Sequence, residues 1–199
     1  MASPTGQWLK PFLALLVVLL FVAGCRASEG PTRATPRGTL LPPVDGTVAP
    51  GSAGSSGPFT VSPNPDPPGA IAVLTDVRIG GHPEAGGWDR IVFEFEDALP
   101  KGTVAYEPKA MNCGSGAPVT LQGSASLVVR FTPAQAHDQI GGLTIRSKEL
   151  IGPGNVILEA KLTCDFEAEV TWAIGVARFS NFRVTVLDHP ARVVIDVKW

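Results

Sequence analysis

Three histidines, three cysteines and eighteen acids are the side chains of this 199-residue sequence that could do covalent or proton-transfer chemistry. His82 and His189 each precede a proline, and His137 precedes Asp138. A sequential His-Asp pair is not a triad. Adjacent side chains of an extended chain point apart, and the nucleophile has to be met through space. There is no Gly-x-Ser-x-Gly, no His-Glu-x-x-His, no P-loop, and no Gly-x-Gly-x-x-Gly after a strand. Cys113, Gly114 and Gly116 belong to a turn, not a phosphate loop. Glu94, Glu96, Glu167 and Glu169 fall on outward strand positions. Two carboxylates suitably spaced could hydrolyse a glycosidic bond, but outward acids on strands are ordinarily just solvated. No Cys or His has zinc-like spacing. The expectation is a binding protein with no catalytic residues, no cofactor and no metal, and a cell-wall hydrolase is the weaker alternative.

The cysteine at position 25 asks for a different chemistry. An apolar run, Phe12 to Ala23, follows Lys10 and ends in Val22-Ala23-Gly24-Cys25. The run is short for a membrane span, which needs roughly 20 apolar residues. It has the length of a signal-peptide core. Its end resembles the bacterial lipobox: an aliphatic residue, two small residues and a cysteine. The resemblance implies cleavage before Cys25 and a diacylglycerol on its thiol. The competing readings are an uncleaved short anchor or an ordinary signal with a chance cysteine. Two or more acyl chains anchor stably, at ~0.8 kcal/mol per buried methylene. The expected location is therefore the extracytoplasmic face of a membrane in the cell envelope, with the membrane itself a partner through the lipid. Cys113 and Cys164 then remain as an even pair in an oxidising compartment. A disulfide between them closes a loop of about 50 residues and contributes roughly 4 kcal/mol in the chain-entropy model; two buried thiols are the alternative.

These features divide the chain into a signal peptide over 1–24, a disordered Pro/Gly/Ser-rich linker over 25–69 and a folded domain over 70–199. The linker lacks the apolar surface to offset its ordering entropy. As a coil it spans ~40 Å, and fully extended ~140 Å. The domain carries 12 Lys and Arg against 15 Asp and Glu, so nucleic acid is not an expected partner.

The domain's pattern is strand throughout. Ile91, Phe93 and Phe95 alternate with Arg90, Val92 and Glu94. Leu127, Val129 and Phe131 alternate with Val128 and Arg130, and Val193, Ile195 and Val197 with Val194 and Asp196. Such period-2 runs mark half-buried strands. A longer run, 156–176, keeps its even positions apolar, from Val156 through Cys164 and Phe166 to Val176. At ~3.3 Å per residue it would be ~70 Å long, so it must break, and Thr163 to Glu167 is the expected place. A two-residue hairpin there is disfavoured because it would flip the parity. Thr132 to Gln139 could form one short helical turn. The predicted fold is all-β: a β-sandwich or flattened barrel of about eight to nine mostly antiparallel strands.

Binding candidates come from the aromatic and basic residues. Trp88 and Tyr106 could stack on sugar faces. Arg90 and Arg192 could hold carboxylates bidentately, or pair with Glu94 and Asp196 if their look-alike strands are antiparallel neighbours. Trp172 and Trp199 fall on apolar faces, where packing explains them. "GWDRIVFEF", "VTWAIGV" and "FRVTVLDHPARVVIDV" together resemble the AMIN-like domains of bacterial envelope lipoproteins, relatives of the AMIN domain carried by cell-wall amidases and secretins. The resemblance spans Thr75 to Lys198. It implies an all-β sandwich and, for the classical AMIN relatives, a role in holding a protein at peptidoglycan or at an envelope site; for the AMIN-like lipoproteins it implies no settled activity, and it brings no catalytic residues. The expected function is a binding module that contacts peptidoglycan or another cell-wall glycan, with binding to an envelope protein as the alternative.

Overall fold

The computed structural model describes residues 57–61, 70–96 and 98–199. Cys25, the signal peptide and most of the linker lie outside them. The described residues form eleven strands: β1 (Phe59–Val61), β2 (Ala72–His82), β3 (Trp88–Glu96), β4 (Lys101–Glu107), β5 (Ala125–Thr132), β6 (Ala134–Gln135), β7 (Glu149–Ile151), β8 (Ile157–Phe166), β9 (Glu169–Val176), β10 (Phe182–Asp188) and β11 (Ala191–Lys198). A six-stranded sheet has the order β1-β4-β5-β9-β8-β7, and a five-stranded sheet the order β10-β11-β3-β2-β6. All pairings are antiparallel except β2 with β6. The fold is the expected all-β sandwich, with more strands than predicted. The additional ones are short. β1 lies inside the segment read as linker, with Val61 fully buried. β6 replaces the helical turn expected after Thr132. Two or three residues show no period, so only their partners reveal them.

The alternating residues face inward as their period requires. Ile91, Phe93, Leu127, Val129, Phe131, Trp172, Ile174, Val193, Ile195 and Val197 are all fully buried. Between the sheets, Phe93 meets Phe131 edge-to-face at 5.1 Å and Trp172 at 6.0 Å, and Phe95 meets Phe131 at 5.1 Å. Such contacts add roughly 0.5–1.5 kcal/mol each beyond the area they bury.

The long run breaks at Glu167 and Ala168, at the far end of the expected window, and it breaks as the two-residue hairpin that parity disfavoured. Both turn residues have positive φ, 49° and 58°, the left-handed pair that a tight hairpin needs. At Ala160 and Leu162 parity survives because a second irregularity cancels the first, while a further slip between Ile157 and Glu159 turns the odd Ile157 inward opposite Val176. The register slips by one residue between Leu162 and Cys164, a β-bulge at Thr163. Below it, Leu162 and Ala160 pair with Trp172 and Ile174 and share their inner face. Above it, Cys164 pairs with Thr171 and Phe166 with Glu169. Cys164 therefore sits on the outer face, not the apolar one predicted for it, and Phe166 is 63% exposed.

Candidate functional site

Trp88, Arg90 and Arg192 lie together on the outer face of the five-stranded sheet. β3 and β11 are antiparallel neighbours, with Arg90 opposite Asp196 and Arg192 opposite Glu94. The first pair forms a bidentate contact: Arg90 Nε and Nη2 donate to Asp196 at 2.6 and 2.9 Å. The second does not. Glu94 accepts from Arg78 at 2.7 Å, and Arg192 Nε donates to the Pro190 carbonyl at 3.3 Å. Arg183 of β10, a residue sequence reading passed over, also donates to Asp196, at 2.8 Å, and its guanidinium lies 4.5 Å from the Trp88 ring centre. Trp88 is consequently only 7% exposed, and the Lys198 ammonium, which donates to the Gly86 carbonyl, lies 5.3 Å from its ring centre. Burial pushes the Asp196 carboxyl up, but hydrogen bonds from Arg90 and Arg183 outweigh it and hold the group below its ordinary value. The same bond raises the Arg90 guanidinium against its own burial. On this face aromatic and charged groups already satisfy one another.

Asp89, between Trp88 and Arg90, points the opposite way. It is fully buried. Its Oδ2 accepts the backbone N–H groups of Val156 and Ile157 at 2.7 and 2.9 Å, and its Oδ1 accepts Asn155 Nδ2 at 3.1 Å and Trp199 Nε1 at 2.8 Å. One carboxylate of the five-stranded sheet thus fastens the start of β8 in the other. The signal was available: an acid at an odd position of β3, in line with Ile91 and Phe93.

Tyr106 stands elsewhere, at the end of the six-stranded sheet. Its hydroxyl donates to the Ser180 carbonyl at 2.8 Å and accepts the Ser180 N–H at 3.1 Å. Burial raises its pKa, against the opposing effect of the Ser180 hydrogen bond. This double bond rivets the β9–β10 connection, so that Phe179 lies beside Tyr106 with ring centres 4.3 Å apart. Phe179 is 61% exposed.

Beside these rings a groove of about 550 Å³ opens, bounded by Pro108, Lys109, Pro118 and Leu121. Its far wall is the β4–β5 connection, folded over the outer face of the sheet. Ala110, Val119 and Leu121 pack there on Val128 and Ala173. A disulfide and several hydrogen bonds hold this flap. Cys113 is disulfide-bonded to Cys164, with Cα atoms 5.2 Å apart, and its N–H donates to the Thr163 carbonyl at 3.1 Å. Gln122 N–H donates to Glu159 at 2.7 Å, and Lys161 Nζ to the Thr120 carbonyl at 3.1 Å. Gly123, at φ +98°, lets the chain pass so close to the Val176 carbonyl that a Cβ would sit 2.1 Å from it. In the groove, the Ser126 hydroxyl is shielded from solvent and has no partner.

His137 Nδ1 contacts Asp165, not the adjacent Asp138, at 2.9 Å, and Asp165 also accepts the Ala136 N–H at 2.9 Å. Among the described residues no cluster of His, Cys, Asp or Glu could hold a metal ion.

A family model described as AMIN-like domain matches residues 72–199. No curated protein and no solved structure matches the chain.

Proposed function

The chain belongs to the AMIN-like domain family, and from that premise we propose that it is a non-catalytic, cell-wall-facing binding module whose Tyr106–Phe179 groove takes a wall glycan. The observation that carries the reading is the exposed aromatic platform beside the groove: Phe179, 61% exposed, held against Tyr106 with ring centres 4.3 Å apart. The C–H face of a sugar ring matches the negative face of an aromatic ring. The groove's size falls within the range of small-ligand sites, roughly 300–1,000 Å³. Lys109 at the rim suits the carboxylates that wall polymers carry. The site is held on the extracytoplasmic side of a membrane through a lipid on Cys25.

Sedimentation of the full-length protein with purified wall sacculi tests the glycan. Wild type is expected in the pellet and Phe179→Ala in the supernatant, with equal melting temperatures. Wild type remaining in the supernatant at low salt ends the reading. Mass spectrometry of the native amino terminus tests the lipid: an unmodified thiol at Cys25 removes the anchor.

A further inference from the structure

Among the described residues the sandwich has four sheet edges, and β10 is unlike the other three. β1 and β7 have three residues each and β6 has two. β10 has seven, with no proline or lysine among them and no register slip against β11. Natural edge strands are ordinarily blunted by such devices, because a bare edge offers unpaired N–H and C=O groups to another strand. The one cation of β10, Arg183, does not guard it. Its guanidinium is drawn back over Trp88 and onto Asp196, and the residue is 6% exposed.

The ladder fixes which backbone groups are free. Lys198 N–H donates to the Asn181 carbonyl at 2.8 Å. Antiparallel pairs that exchange hydrogen bonds alternate with pairs that do not. Arg183/Asp196, Thr185/Val194 and Leu187/Arg192 are therefore the bonded pairs of this ladder. Phe182, Val184, Val186 and Asp188 aim their N–H and C=O groups away from β11. The side chains of Phe182, Val184 and Val186 are buried in the core, which holds those free groups in strand geometry.

We propose that β10 pairs antiparallel with β10 of a second copy of this chain, about a two-fold axis at Thr185, joining two five-stranded sheets into one of ten strands. The register follows from the free groups. Outward-facing residues must oppose outward-facing residues, and a two-fold axis at Thr185 sets Phe182 against Asp188 and Val184 against Val186 over the full strand. On the outer face Thr185 meets its own copy and Arg183 meets Leu187. No like charges face each other. The free donors and acceptors of this one strand match one another about Thr185 along its whole length and oppose no like charges, so the edge is self-complementary and a second copy is its occupant; the pairing does not depend on the glycan reading of the groove.

Thr185 is half-buried on the outer face, so it can be changed without opening the core. At a non-bonded pair, the two Cα atoms lie about 4.5 Å apart, within the range a disulfide spans. Full-length Thr185→Cys in cells under mild oxidation is expected to give a reducible dimer, while wild type and Thr103→Cys, exposed on β4, do not. Sedimentation velocity of the detergent-solubilised wild type is expected to show twice the protein mass of one chain. Thr185→Lys, which sets two ammonium groups face to face, is expected to weaken the dimer about tenfold or more with an unchanged melting temperature. A single-chain mass at every concentration, with no cross-link through Thr185→Cys, overturns the pairing. So does cross-linking of Thr185→Cys to a different protein only.

Discussion

The outer face of the five-stranded sheet and the groove at the end of the six-stranded sheet are built from the same kinds of residue. Each has an aromatic ring, an Arg–carboxylate pair and a lysine nearby. They differ in what is left unsatisfied. On the first, Arg90 and Arg183 share Asp196, and Arg183 covers Trp88. In the second, Arg130 and Glu107 pair with each other, but Phe179 is open and the Ser126 hydroxyl has no partner. Residue type does not separate a binding surface from a fastening one; unmet bonding capacity does.

That contrast can be broken by substitution, and the largest effect belongs to the fastened side. Asp89→Ala leaves the N–H groups of Val156 and Ile157 and the Trp199 indole without their acceptor. At roughly 1–3 kcal/mol per orphaned buried group, the loss should be about 5 kcal/mol by urea denaturation. A loss below about 1 kcal/mol would show that water replaces the carboxylate, and the face would not be sealed. Replacing Cys113 and Cys164 together by serine removes the closure of a 51-residue separation, with an expected cost of roughly 4 kcal/mol. Because the disulfide ties the groove's flap, this variant should also lose wall binding at temperatures where it remains folded. Binding that survives would detach the flap from the site.

Asp196→Asn sharpens the contrast through pH. It leaves two guanidinium groups against an uncharged partner and should cost about 3 kcal/mol. The Asp196 pKa is lower in the fold than in the unfolded chain. Its stabilisation is therefore complete above the unfolded value of about 4 and is lost as pH falls through the folded value. Wild type should lose stability over that acid range more steeply than Asp196→Asn; parallel curves would mean the carboxylate is not held by its arginines. Phe179→Ala should change stability by no more than about 0.5 kcal/mol, as exposed substitutions do, while abolishing sedimentation with sacculi. Arg192→Ala should change neither, since its guanidinium contacts only a neighbouring carbonyl. A loss of binding there would return the outer face of the five-stranded sheet to consideration.

Much of the sandwich was legible because side-chain alternation is a local property. The inner faces of β3, β5, β9 and β11 could be named residue by residue, and the matching patterns of β3 and β11 anticipated Arg90 opposite Asp196. The Cys113–Cys164 pairing was legible from parity of count. What escaped depends on contacts distant in sequence. Arg183 intercepts Asp196 from a strand whose own pattern says nothing of it. Phe179 and Ser126 gain meaning only when Tyr106 draws the β9–β10 connection over the sheet end. The hairpin at Glu167 and Ala168 was invisible because neither residue is a turn former. Its parity change was hidden by the bulge that undoes it.

The bulge at Thr163 is a spare residue, absorbed without moving its neighbours. With that single position deleted, Leu162 and Cys164 would become consecutive residues of a regular ladder, the first still turned to the core beside Trp172 and the second still turned outward beside Thr171. The thiol would keep its place and Cys113 its partner. Homologous chains should therefore be free to lose this one residue while the flap and the hairpin remain joined by sulfur.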